Sequence, residues 1–148
     1  MGFYTFKRGS VIMANFSPQV GSELKGKHFA IVLTKKDRFT NELLTVIPLT
    51  SKAHKYHLDL DSEIKKAIFD KINDIPMDDE DKHYAVLKRY ETLKEHTYAK
   101  VHQITTISKL RVLKPVNDLD PIRKLRVSDE TMDKLDAKIK ELFTRDSK

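Results

Sequence analysis

Through the first third of the chain the apolar positions gather in short β-forming runs. Ser10 to Phe16, Phe29 to Leu33 and Leu43 to Leu49 (LLTVIPL) have the length and composition of strands, and Gly, Pro, Ser and charged residues punctuate them. Pro48 has no N–H to give to a ladder, so it belongs near the end of its strand, at an edge or at a bulge. The stretch Thr34 to Glu42 is a polar connection, and Ser51 to Leu60 is again polar. The period then changes. Ile64, Ala67, Ile68 and Ile72 recur at helical spacing over 61–73, with Asp61 or Ser62 placed to cap the first turn. Asp74 to Lys82 is an acidic, exposed loop containing Pro76. Aromatic and β-branched residues return in His83 to Leu93 and in Thr97 to Ile107, which are expected to form an antiparallel pair around a turn at Lys94, Glu95 and His96. Leu110 to Val116 adds a short strand. Ser128 is a good N-cap for a helix from Asp129 to about Thr144, whose apolar face carries Met132, Leu135, Ile139, Leu142 and Phe143. Short connections between successive strands and only two helices argue for an antiparallel, partly open barrel of the α+β class, not a doubly wound sheet.

A length of 148 residues suits a single domain spanning 1–148 with a proper core. The 28 Lys and Arg against 22 Asp and Glu leave a formal charge of +6. That balance favours a polyanionic partner such as nucleic acid, or else simply a lysine-solubilised surface. The chain has no cysteine, which removes disulfide frameworks, thiolate zinc sites and cysteine nucleophiles. The opening MGFYTFKRGS lacks the apolar length and small-residue cleavage site of a signal peptide, and no run approaches the roughly 18 apolar residues of a membrane helix. A cytoplasmic protein without membrane association is the expectation.

The richest stretch chemically is Arg8 to Leu33, where two strands flank a loop carrying Pro18, Gly21, Ser22, Glu23, Lys25 and Gly26. Arg8-Gly9-Ser10, Phe16-x-Pro18-x-x-Gly21-Ser22-Glu23, Gly26, the strand Ala30 to Leu33, Val46-Ile47-Pro48-Leu49-Thr50-Ser51 and Gln103-Ile104-x-Thr106-Ile107 follow in an order that resembles the PemK/MazF toxins of type II toxin–antitoxin systems. The likeness covers roughly residues 8–51 and 98–111 and extends to the final helix. Residues 52–83, with their short helix, are an insertion relative to compact members. The resemblance implies an SH3-like barrel, a homodimer, metal-independent cutting of single-stranded RNA without a cofactor, and neutralisation by a cognate antitoxin. Two other readings stay open: a non-catalytic relative that binds RNA, DNA or protein through the same basic barrel, and the gyrase-poisoning branch of the superfold.

Metal-independent RNA cleavage needs a base for the 2′-OH, an acid for the leaving 5′-oxygen and positive charge at the phosphorane-like transition state. The family supplies an arginine from the first loop and a Thr or Ser after the Pro-Leu strand. Thr50 stands at the second place, with Ser51 beside it. At the first, where relatives read Gly-x-Arg-Pro, this chain reads Gly26-Lys27-His28-Phe29, so His28 replaces the arginine. Imidazole titrates near neutrality and suits acid–base work, yet when neutral it lacks the charge of a guanidinium, which Lys25 and Lys27 would have to supply. The plainer alternative is that His28 only caps its strand. His102, ahead of Gln103, is a second candidate acid or base. Simple alternation places Lys100, His102 and Ile104 on one face of their strand. The catalytic candidates are therefore His28, Thr50 and His102, with Arg8, Ser22, Glu23, Lys25, Lys27, Ser51, Lys100 and Gln103 as RNA contacts. Arg8 could equally pair with a surface carboxylate, and Glu23 could simply be solvated. Phe3, Tyr4, Phe6, Phe39 and Tyr56 could stack on unpaired bases, or pack in the core or an interface. His54 and His57 are three apart but have no evident third ligand in sequence, so no metal site is expected.

Overall fold

The computed structural model describes residues 5–16, 26–75 and 80–144. Its elements run β1 (Val11–Asn15), β2 (Lys27–Val32), β3 (Leu43–Thr50), β4 (His57–Asp59), α1 (Glu63–Asn73), α2 (Glu80–Tyr90), β5 (Tyr98–Lys100), β6 (Thr105–Ser108) and α3 (Asp129–Phe143). The six strands make an antiparallel sheet in the order β1-β2-β3-β5-β4, with β6 also paired to β3. Among the described residues the sheet does not close on itself, in agreement with a partly open α+β barrel. β3 is its spine. One edge of β3 is held by β2, and the other by β6 along its first half and β5 along its last two residues.

Each strand alternates between two apolar layers, because successive side chains point to opposite faces. On one face Val11, Ile31, Ile47, Leu49, Ala99 and Val101 meet the apolar stripes of the helices: Ile64, Ile68 and Ile72 from α1, Val86 and Tyr90 from α2, and Met132 and Leu135 from α3. On the other face Ile12, Ala14, Ala30, Val32, Leu44, Val46 and Ile107 form a smaller core under Phe16, Phe6 and Val112.

The first three strands and both predicted helices fall where the hydrophobic pattern places them. Ser128 caps α3 by accepting the Thr131 N–H, with Asp129 and Glu130 in the first turn, where the helix dipole favours negative charge. α1 departs from expectation only at its start. Ser62 occupies the N-cap position without a side-chain cap, and Asp61 adopts a left-handed φ of 51°.

Three expectations are corrected. His83 to Leu93 is not a strand: residues 80–90 are α2, which buries Val86 and Tyr90 four apart against α1 and β2, where Phe29 stacks on Tyr90 at 6.2 Å. Helical periodicity of His83, Val86, Leu87 and Tyr90 outweighs the strand preference of the single residues, so tertiary packing decides. Thr97 to Ile107 is not one strand either. Leu49 opposes Ala99 while Val46 opposes Thr105, so three steps on β3 face six on the partner. The excess is taken up by a 3-10 turn at Val101–Gln103. Leu110 to Val116 forms no strand: a 3-10 turn occupies Lys109–Arg111, and Val112 makes a lone bridge to Ala14.

Two buried carboxylates tie loops to this frame. Asp120, its side chain fully buried, accepts from the Tyr90 hydroxyl, from Arg89 Nη1 at 3.2 Å and from the Val116 and Ile122 amides at 2.8 and 3.1 Å. Burial first, then the hydrogen bond and charge of Asp120, push the Tyr90 phenol well above its ordinary range, so it acts purely as a donor. Asp37 accepts the Phe6 amide at 2.8 Å and pairs with Lys109 Nζ at 2.8 Å, a second ion pair out of solvent. At the foot of the first loop Gly26 accepts the Phe16 amide at 2.7 Å with φ at +75°.

Truncating Asp120 removes the counter-charge of Arg89, whose Nη1 keeps the Lys114 carbonyl at 2.9 Å, and leaves the Tyr90 hydroxyl without its acceptor, so Asp120→Ala should lower unfolding free energy by about 3–5 kcal/mol in a urea melt. Gly26→Ala meets no atom within 4 Å and so carries only backbone strain. Its expected cost, read the same way, is about 1–2 kcal/mol.

Candidate active site

The register gathers one row of polar side chains at the end of the sheet where β3 finishes. Thr50 pairs with Tyr98, Tyr98 with Asp59, and Lys100 with His57. Between β2 and β3 the ladder ends at Ala30 opposite Pro48; His28 stands two residues before that end on β2 and Thr50 two residues past it on β3. Alternation sends His28, Thr50, Tyr98, Lys100 and His57 to the face of the smaller core, away from the helices. His28 follows Ala14 across β1 and packs edge-on against Phe16, ring centroids 6.0 Å apart. Thr50 Oγ1 accepts the Lys52 amide at 3.3 Å, which fixes the hydroxyl at the lip of the strand and leaves its proton to donate. Ser51 is exposed beside it.

His102 does not follow the alternation expected of it, because it sits in the 3-10 turn at Val101–Gln103. From there its ring lies 5.4 Å from His54, 5.6 Å from Tyr56 and 5.2 Å from His57, with interplanar angles of 18° to His54 and 24° to His57. Gln103 brings its amide nitrogen to 3.4 Å from His102 Nε2. His57 is anchored by its Nδ1, 2.8 Å from the Lys52 carbonyl, and His54 Nδ1 accepts the Tyr56 amide at 3.2 Å. Burial is the main force holding His102 below the ordinary histidine value, with the charges of His57, His54 and Lys100 acting in the same direction. For His57 burial again dominates; the Lys52 carbonyl raises its pKa, while His54 and Lys100 add to the net lowering.

The predicted residues thus separate. His28 and Thr50 lie beyond the same end of the β2–β3 ladder, and Lys100 shares their face from β5, where it pairs with His57. His102 lies at the far side of β5, whose strand is two interstrand spacings, about 10 Å, from that of His28. Lys27 is on the opposite face of the sheet, beside Met13, Arg89 and Lys114. Arg8 is at the other end of β2: its Nε donates to the Leu33 carbonyl at 3.2 Å, and both terminal nitrogens hold Asp136 of α3. Ser22, Glu23 and Lys25 lie outside the described residues, as do Phe3 and Tyr4. Two features had no sequence signal. Tyr98 enters through a strand pairing, and the partner for His54 and His57 is His102, 45 residues further along.

The arrangement offers an imidazole, a hydroxyl donor and an ammonium on one face, with the half-buried Tyr98 beside them. Those groups suit contact with a phosphate and an unpaired base.

No curated protein sequence matches the chain. Among solved structures, the fold is similar to the crystal structure of MazF (Form-I) from Deinococcus radiodurans, with a TM-score of 0.56 at 16% identity over 94% of this chain and 96% of that one. The family model of the PemK-like, MazF-like toxin of type II toxin–antitoxin systems matches residues 7–143. With nearly the whole chain matched and the fold in accord, the protein belongs to the PemK/MazF toxin family.

Proposed function

We propose that this toxin cleaves single-stranded RNA by attack of a 2′-OH on the adjacent phosphate, without a metal ion in the chemistry, as a homodimer in the cytoplasm that a cognate antitoxin holds in check. The observation that carries the reading is the match of the toxin family model to residues 7–143, supported by His28 and Thr50 lying just beyond the same end of the β2–β3 ladder, at the positions where the resemblance expects an arginine and a hydroxyl. In the reaction a base takes the 2′-OH proton, O2′ bonds to phosphorus, the P–O5′ bond breaks and an acid returns a proton to O5′. The products are a 2′,3′-cyclic phosphate and a free 5′-OH. His28 supplies the imidazole at this place and carries the proton. Thr50 donates its hydroxyl hydrogen to a non-bridging oxygen as charge builds there.

The charge that relatives draw from an arginine comes here from Lys100, since Lys27 faces the other way and Arg8 is engaged with Asp136. His102 stands too far along the face to share a phosphate with His28, and with Tyr56 it receives the neighbouring nucleotide. Ser22, Glu23 and Lys25 precede His28 in sequence and complete the contacts to RNA. Gln103 holds the His102 ring.

Purified protein mixed with unstructured RNA in EDTA should yield fragments ending in 2′,3′-cyclic phosphate. Intact RNA across many sequences, or cutting that requires a divalent ion, contradicts the proposal. Thr50→Ala should reduce kcat/KM roughly 10²- to 10³-fold in the same assay. A His28→Ala variant that cuts at the wild-type rate would instead favour a chemistry without that imidazole. Lys100→Ala should weaken RNA binding and flatten its salt dependence by roughly 0.7 in log–log slope, the share of one single-strand phosphate contact.

A further inference from the structure

The turn before β4 and the 3-10 turn after β5 bring three imidazoles together that are remote in sequence. His54, His57 and His102 each present one ring nitrogen, and these nitrogens lie within 4.8 Å of one another. We propose that this trio is a binding site for one divalent transition-metal ion of the zinc class, whose occupation withdraws His102 from RNA.

A tetrahedral ion with bonds of 2.0–2.1 Å to nitrogen needs its ligand atoms roughly 3.3 Å apart, so the site closes by small rotations of three side chains. One ligand is already oriented. His57 gives its Nδ1–H to the Lys52 carbonyl at 2.8 Å, which leaves the Nε2 lone pair to coordinate and reproduces the outer support of metal-bound histidines. A second has an unmet need: His102 Nδ1 is buried without a hydrogen-bond partner. The third, His54, is exposed and exchanges its 3.2 Å bond from the Tyr56 amide for the metal, leaving that amide to water.

The donor set selects the ion. Three nitrogens without a carboxylate suit Zn2+, Co2+, Ni2+ or Cu2+ and not Mg2+ or Ca2+, which prefer oxygen. Lys100, paired with His57 across the strands, opposes the added positive charge and favours an anion at the open fourth position. Sequence spacing gave only the His54–His57 pair; the break in the strand after Lys100 supplies the third ligand.

The competition with RNA rests on the role of His102 proposed above, whereas the site itself does not. Full-length protein free of any histidine tag should be titrated with Co2+ and followed by its visible absorption, with Zn2+ as competitor. The expected result is saturation at one ion per chain, with affinity reduced roughly 100-fold or more in both His54→Ala and His57→Ala while circular dichroism is unchanged. Absence of saturable binding, or wild-type affinity in either variant, overturns the site. In the cleavage assay Zn2+ should slow the wild type but leave His54→Ala at its own chelator-treated rate. Saturable binding with undiminished wild-type cleavage keeps the site and refutes the competition; if RNA is never cut, the absorption titration still decides whether the metal binds.

Discussion

The three-residue excess on the strand facing Pro48 is the constraint from which the site follows. A ladder that kept one register from Thr50 to Leu43 would run β5 straight into β6 and hold His102 within a pleated strand. The register slips instead at the level of Pro48, which brings no N–H to either neighbour, and the surplus leaves the sheet as the turn Val101–Gln103. Val101 stays in the core on the helix side. The residue beside it is thereby carried out to His54, ahead of β4, and His57, at its start. A proline placed to end one ladder thus creates a cluster on another segment.

What keeps this broken sheet rigid is its double burial. The helix-side core holds Ile31, Ile47 and Leu49 from β2 and β3, while the smaller core holds Ala30, Val32 and Val46 from the same strands. The spine strand is therefore clamped from above and below, and its last residue, Thr50, is positioned by packing that begins two residues earlier. The buried carboxylates extend the frame outward. Asp120 fastens α2 to the segment ahead of α3, and Asp37 fastens the β2–β3 connection to the end of β6. Breaking either pair leaves an uncompensated charge indoors, which is why such groups act as fixed points even though burying them brings little net stability.

The sequence discloses those parts of the fold that depend on local periodicity. β1 to β3, α1 and α3 are visible because each puts apolar residues at a spacing that only one kind of element buries on one side, and Ser128 marks its helix by capping it. His83 to Leu93 misleads because Tyr84, Val86 and Tyr90 are good strand residues; what makes them helical is the contact of Val86 and Tyr90 with α1 and Phe29, which no local window contains. The break at Val101 is equally hidden, since it is defined against β3. For the site the same division holds. The candidacy of His28 and Thr50 is legible from motif order, but the opposed directions of Lys27 and His28, the engagement of Arg8 with Asp136 and the meeting of His102 with His54 and His57 all require the tertiary structure.

On the proposed reading a histidine, His28, stands where the family's arginine is expected, on the face of the sheet that also carries Thr50 and, from β5, Lys100. The account stands or falls on whether RNA lies along that face. Titrating the isotope-labelled protein with a short oligonucleotide that carries 2′-deoxy sugars, and so cannot be cut, maps the contact by amide chemical shifts. The changes should concentrate at His28, Thr50, Tyr98, Lys100 and His102. Changes confined to Lys27, Arg89 and Lys114, or to Arg8 and Asp136, would place the nucleic acid elsewhere and contradict it.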